Sequence, residues 1–416
     1  MKTFTQVLQK ELLPSLGCTE PIAVAYAAAK ARQLLGEQAI RLEAWCSGNV
    51  VKNVKSVVVP NSGGLKGINA AAILGLLGGD SENRLEVLQS VSDQQREEAK
   101  TLLEAGFCKC FFLNSGSALD IVIKAWGAFH SAVVEVRDFH TNLTYLERDG
   151  VVSLHIPVES SSLHTDEPEW SLHAILEYAE TTELAVLESL LHQQVQMNEA
   201  IAQEGLRNPY GAQIGRSLLK FDGNTVAVRA KAYAAAGSDA RMGGCPMPVV
   251  INSGSGNQGI TVSLPVIQYA RELRVSKEKM FKALAVSNLI AIYQKRQIGS
   301  LSAYCGAVCA ACGSGAAIAY LQGATLPQIE QTIINTIACV GGIFCDGAKP
   351  SCAAKIAECV DAAILAGRLA IDGHGFNSGE GLVKEGADAT IRCIGSVARE
   401  GMRETDRRIL QHMLEN

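Results

Sequence analysis

Aromatic residues make up only 5% of the chain and charged residues only 19%. Neither sign of charge dominates. Thirty-seven Lys and Arg against 42 Asp and Glu leave a formal charge of −5, so there is no basic footprint for nucleic acid or an anionic membrane surface. A Gly-X-Y period, a sustained heptad and a polar low-complexity tract are all missing, which excludes collagen, coiled coil and a disordered chain. No tandem repeat stands out. The opening MKTFTQVLQKELLPSLG lacks the unbroken apolar stretch of a signal peptide and predicts a cytoplasmic protein. What the chain has is 48% hydrophobic residues and 39 glycines in 416 positions, enough for a large core of small and aliphatic side chains. From Gln297 to Ile329 and from Gln331 to Cys345 no side chain is charged. A spanning helix needs about 20 mostly apolar residues. This stretch is Ala, Gly, Ser and Cys, interrupted by Gly313 and Gly315, so it predicts a central buried helix pair and no membrane.

Apolar spacing of 3.6 residues predicts helices over 3–16, 22–35, 68–77 and 96–105. Alternation predicts strands over 41–51, 55–60, 108–114, 118–128, 131–138 and 151–159. Pro60-Asn61-Ser62-Gly63-Gly64 reads as a turn, and Ser160–Glu169 as a polar linker. Beyond it helical spacing takes over, at 175–205, 262–273, 277–298, 361–370 and 394–414. Strands followed by a run of helices imply α+β, not alternating βαβ. The expected organisation is N-terminal helices (1–36) packed on a helical catalytic body (166–416), with an α+β domain (37–165) between them.

Thirteen cysteines in a cytoplasmic chain point away from disulfides. Cys46, Cys108, Cys110, Cys245, Cys339, Cys359 and Cys393 are expected to be inert buried thiols. Cys305-x3-Cys309-x2-Cys312 has the spacing of a radical-SAM cluster motif. It lies late in an Ala-rich stretch with no βα repeats after it, and i, i+4, i+7 is simply one helix face. Cys345 and Cys352 flank a Gly- and Pro-containing loop about one helical hairpin after Cys305, so the three thiols can converge. Three thiolates suit an iron–sulfur cluster, or zinc with a fourth ligand, and inert core thiols remain an equal reading.

GSGNQG (254–259) satisfies the dinucleotide pattern, but no acidic-ended second strand follows. It reads better as an anion loop at a helix N-terminus, bringing Ser253, Ser255 and Asn257 toward a carboxylate. Arg241, in SDARMGG, is placed to clamp the same group, or to form a structural ion pair. Cys18, in GCTEP with Glu20 two positions on, sits where a helix N-terminus would lower a thiol pKa. His140 reads as a turn histidine.

Taken together and in order, GCTEP (17–21), SDARMGG (238–244), NSGSGNQGI (252–260), LSAYC (301–305) and CDGAKPSC (345–352) resemble the L-cysteine desulfidase family. That family is related to the α chain of iron–sulfur L-serine dehydratases, and Pro60–Gly79 resembles their β-type segment. The resemblance implies a [4Fe–4S] lyase without PLP, held by Cys305, Cys345 and Cys352, with Cys18 as base or displaceable fourth ligand. Arg241, Ser253, Ser255 and Asn257 would hold the substrate. The implied reaction is α,β-elimination of L-cysteine to pyruvate, ammonia and sulfide; the small-residue helices, for their part, suggest a homodimer. Cys309 and Cys312 fall outside the pattern, and the short Cys345–Cys352 spacing departs from the serine dehydratases. A serine deaminase and a non-catalytic amino-acid-binding metal protein are the alternatives.

Overall fold

The computed structural model describes residues 3–157, 168–299 and 301–415, so most of the expected linker lies outside the described residues. The first half runs α1 (Phe4–Glu11), β1 (Pro14–Leu16), α2 (Thr19–Leu35), β2 (Arg41–Cys46), α3 (Gly48–Val54), α4 (Gly67–Gly78) and α5 (Asp93–Glu104). Strands β3 (Cys108–Phe112), β4 (Asp120–Trp126), β5 (Ser131–Arg137), β6 (Leu143–Arg148) and β7 (Val151–His155) follow. They form one six-stranded sheet in the order β3-β2-β4-β5-β6-β7. Only β2 and β3 are parallel; β2–β4 and the β4-to-β7 meander are antiparallel. Alternating burial turns Ile121, Ile123 and Ala125 of β4 and Ala132, Val134 and Val136 of β5 inward, where α2 packs.

The second half is helical apart from one short strand: α6 (Leu172–Thr181), α7 (Leu184–Arg207), α8 (Ile214–Phe221), α9 (Val226–Met242), β8 (Pro248–Val250) and α10 (Gly256–Glu272). Then come α11 (Lys277–Ile298), α12 (Gly306–Leu321), α13 (Leu326–Val340), α14 (Cys352–Ile371), α15 (Ala387–Ser396) and α16 (Arg403–Glu415). The expected α+β class holds. Of the expected buried pair, α12 is buried, enclosed by α10, α11, α13 and α14, whereas α13 is buried on one face only and exposes Leu326 and Cys339. Among the described residues no helix is long and apolar enough to cross a membrane.

Small residues explain how such a core forms with few aromatics. A Cβ on Gly75 would lie 2.6 Å from the Ala25 Cα, so α2 and α4 meet backbone to backbone. A Cβ on Gly315 would lie 2.8 Å from that of Ala363, which sets the closeness of α12 and α14.

Four local expectations change. Thr3 caps α1 with a full capping box, but the helix stops at Glu11, because Pro14 cannot continue it; Pro14–Leu16 instead pairs antiparallel with β8. The strand expected over 41–51 ends at Cys46, and Gly48 opens α3. Val57–Val59 is not a strand; Val58 makes one isolated bridge to Lys66 across the glycine turn. Helix α2, expected on the helical body, packs on the sheet and α4, while α1 lies on α7 and α11. Cys110 and Cys339 are exposed and Cys393 is half-buried, so burial does not account for these three thiols.

Candidate active site

A cavity of about 540 Å³ opens where the ends of α2, α3, α10, α11, α12 and α14 meet the loops before β4 and after β5. Each expected site residue, Arg241 included, contributes to its wall. Cys18, Ser253, Ser255, Asn257, Cys305, Cys345 and Cys352 all line it. Cys309 and Cys312 do not: both are fully buried within α12, so the three-cysteine spacing is core packing.

The three expected cluster thiols come from three different local structures. Cys305 is the residue before α12, and its N–H donates to the Ile343 carbonyl at 3.0 Å. Cys345 follows an isolated bridge between Tyr304 and Phe344, and Cys352 is the first residue of α14. Two helix N-termini therefore face one cavity wall, where their amides favour negative charge. Burial, followed by the nearness of Cys345 and Cys352, pushes the Cys305 thiol up to about 12. Burial likewise raises Cys352, with Cys345 adding to it. These are thiols that need a cation to ionise. Among the described residues, no three His, Cys, Asp or Glu side chains are gathered tightly enough to hold a single metal ion. A soft, all-sulfur set spread around a roomy wall of small residues fits a multi-iron cluster better than one compact ion.

Beside the thiols, Cys18 precedes α2 and belongs to a small apolar cluster with Val57 and Met242, against which Ala348 and Cys352 pack. Its Sγ donates to Glu20 Oε2 at 3.1 Å. Burial and the Glu20 charge hold this thiol well above its ordinary pKa, against the lowering expected from the helix end and in spite of Arg241. Glu20 itself accepts from Thr19 Oγ1 at 3.0 Å and Asn53 Nδ2 at 2.9 Å, and His140 Nε2 stands 3.9 Å from Oε1. Burial would raise the Glu20 carboxyl, but His140 and the Cys18 hydrogen bond outweigh it and bring it to about 2.

Arg241 is 2% exposed, and its guanidinium is engaged. Nε donates to the Gly17 carbonyl at 3.1 Å, Nη2 to the same oxygen, and Nη1 to Asn257 Oδ1 at 2.6 Å. The expected carboxylate clamp thus ties the Cys18 loop to the first turn of α10. Gly256 makes room for it, since a Cβ there would lie 2.5 Å from the Arg241 Cζ. On the neighbouring turn Ser253 has φ +49° and its hydroxyl donates to Asn252 Oδ1, while Ser255 caps α10. Gly254 carries φ +74°, and a Cβ there would meet His140 Cε1 at 2.9 Å. His140 is therefore part of the site and not a free turn residue.

Sequence reasoning also passed over Asn53, Lys52, Lys295 and Tyr304, which line the cavity. Lys52 and Asn53 lie in the helix that replaces an expected strand end. Lys295, in Gln294-Lys295-Arg296-Gln297, looks in the sequence like part of a solvated helix end and gave no signal.

A family model for the serine dehydratase alpha chain matches residues 82–411, which takes in Arg241, the 253–257 turn and the three cavity cysteines but not Cys18. A UPF0597 protein of Lachnoclostridium phytofermentans is 52% identical over 99% of both chains. Others from Finegoldia magna, at 44% over the full length of both, and Aeromonas hydrophila, at 39% over 99% of this chain and 95% of the relative, are similar throughout.

Proposed function

The chain belongs to the serine dehydratase alpha chain family, and from that premise we propose that it is an iron–sulfur lyase acting on L-cysteine. The products are pyruvate, ammonia and sulfide. The observation that carries the reading is that Cys305, Cys345 and Cys352 line one cavity together with Cys18, and that Cys352 packs against the small cluster that holds Cys18. Cys305, Cys345 and Cys352 would hold a [4Fe–4S] cluster. When bound, it would supply a Lewis-acidic iron with an open position, which weakens the bond to the β-substituent.

The chain's own residues do the remaining work. Arg241 fixes the Gly17 carbonyl and so the loop that aims Cys18 into the cavity. The Ser253–Asn257 turn, with two positive-φ residues and a helix N-terminus, frames the head group of the amino acid. Cys18 is the group assigned to the α-proton. Its thiol donates to Glu20 Oε2 at 3.1 Å, and that ionised carboxylate, too weak a base to take the thiol proton, holds Sγ in place. His140, Thr19 and Asn53 position that carboxylate. Because the α-proton is weakly acidic, positioning in a largely enclosed site supplies much of the rate.

L-Serine is the second reading, favoured by the family match; a structural metal protein that only binds an amino acid is the third. Cys18→Ser separates catalysis from structure. After anaerobic reconstitution the variant is expected to keep the cluster absorbance and lose turnover by 100-fold or more, roughly the worth of a positioned base. Unchanged turnover would remove Cys18 from the mechanism.

A further inference from the structure

One buried ammonium in the cavity has no partner among the described residues. Lys295, in the last turn of α11, is 6% exposed and lines the cavity, yet among the described residues no carboxylate or acceptor meets its Nζ. Of the other cavity cations, Lys10 stands over the Phe139 ring at 4.6 Å and the rest are paired. Arg241 holds Gly17 and Asn257, Lys52 pairs with Asp406, Lys355 with Asp346, and Arg296 faces Glu11 at 3.7 Å. Cys345 and Cys305 act on Lys295 from the cavity and Cys309 from the core behind, with Lys52 opposing them, and Lys295 itself lines the cavity. An unpaired buried charge is costly, and a fold retains one where a ligand of opposite sign completes it.

A second donor lies close by. The Tyr304 hydroxyl, one residue before Cys305, is buried, lines the same cavity and makes no hydrogen bond. Two buried acceptors there, Asn53 Oδ1 and Gln258 Oε1, are also unpaired. A small ligand with an anionic and a cationic end would satisfy both sets.

We propose that Lys295, assisted by the Tyr304 hydroxyl, is the anchor for the substrate carboxylate, leaving the Asn53 and Gln258 oxygens for the ammonium. The assignment rests on the reading of the substrate as an α-amino acid and replaces Arg241 in that role. It makes the site select against amines that lack the carboxylate.

S-Methyl-L-cysteine and 2-(methylthio)ethylamine differ only in that carboxylate, and their blocked sulfur keeps the measurement independent of iron. Calorimetric titration of the wild-type chain should show the amino acid binding ~10- to 100-fold more tightly, the worth of a charged hydrogen bond. Lys295→Met should bind both equally, and Lys295→Arg should recover part of the preference. Tyr304→Phe should reduce it by less than Lys295→Met does. If Lys295→Met does not fold, a Lys295→Arg variant with a reduced preference supports the anchor, and one whose preference equals the wild type's overturns it. Retention of the full preference by Lys295→Met overturns the anchor. If the wild type releases sulfide and pyruvate while Lys295→Met keeps its KM, the lyase reading stands and the anchor falls. If the wild type binds neither compound and has no turnover, both fall.

Discussion

At the residue scale, the site depends on side chains whose partners were hidden in the sequence. Cys305→Ser, Cys345→Ser and Cys352→Ser should each abolish a stable cluster band on reconstitution, whereas Cys309→Ser should retain it, because Cys309 lies within α12 away from the cavity. Iron and sulfide content per chain checks this. Gly256→Ala should drive its new Cβ into the Arg241 guanidinium, releasing Gly17. The expected cost is about 1–3 kcal/mol in thermal or denaturant unfolding, with a larger fractional loss of turnover. Glu20 sets a pH test. Its carboxyl is held at about 2, below the ordinary 4.5, so its ionised form stabilises the fold above about pH 4.5, and that contribution is lost as pH falls toward 2. Glu20→Gln should thus be less stable than wild type at neutral pH, the difference shrinking on acidification. A constant difference from pH 7 to 2 would contradict the assignment of that charge.

At the element scale, the helical half was legible because long apolar stretches at 3.6 spacing leave little choice. The uncharged helix α12 was readable as buried because Gly313 and Gly315 argued for close packing over a lipid-facing span. The errors fell where local signals were short. Leu12, Pro14 and Leu16 look like a helix end, and only the distant partner β8 makes a strand of them. The same applies to Val50 and Val51, whose alternation with the preceding strand hid the break at Ser47-Gly48. Asn198 shows what joins such elements. Wholly buried in α7, it donates to the Val250 and Gly259 carbonyls and Ser263 Oγ, and accepts from the Val250 N–H at 2.9 Å. Asn198→Ala would leave several of these groups unpaired and should destabilise by about 2–4 kcal/mol, measured by denaturant unfolding. Because β8 leads into the 253–257 turn, turnover should fall too.

At the scale of the whole molecule, the cavity exists only where the ends of both halves of the chain meet. The order of motifs along the sequence was enough to place the three thiols and Cys18 around one centre, since Cys305 and Cys345 are brought back together by a single helical hairpin. The sequence could not show that Arg241 would be spent on Gly17, that His140 would reach Glu20 from the loop after β5, or that Lys295 would stay unpaired. Those facts depend on tertiary neighbours rather than on spacing. The most direct test of the central claim is anaerobic reconstitution with iron and sulfide, an absorption spectrum before and after L-cysteine, and assay of sulfide and pyruvate in the same sample. A broad cluster band perturbed by L-cysteine, with both products in equal amounts, is the expected result. A featureless spectrum and no product from either L-cysteine or L-serine would contradict it.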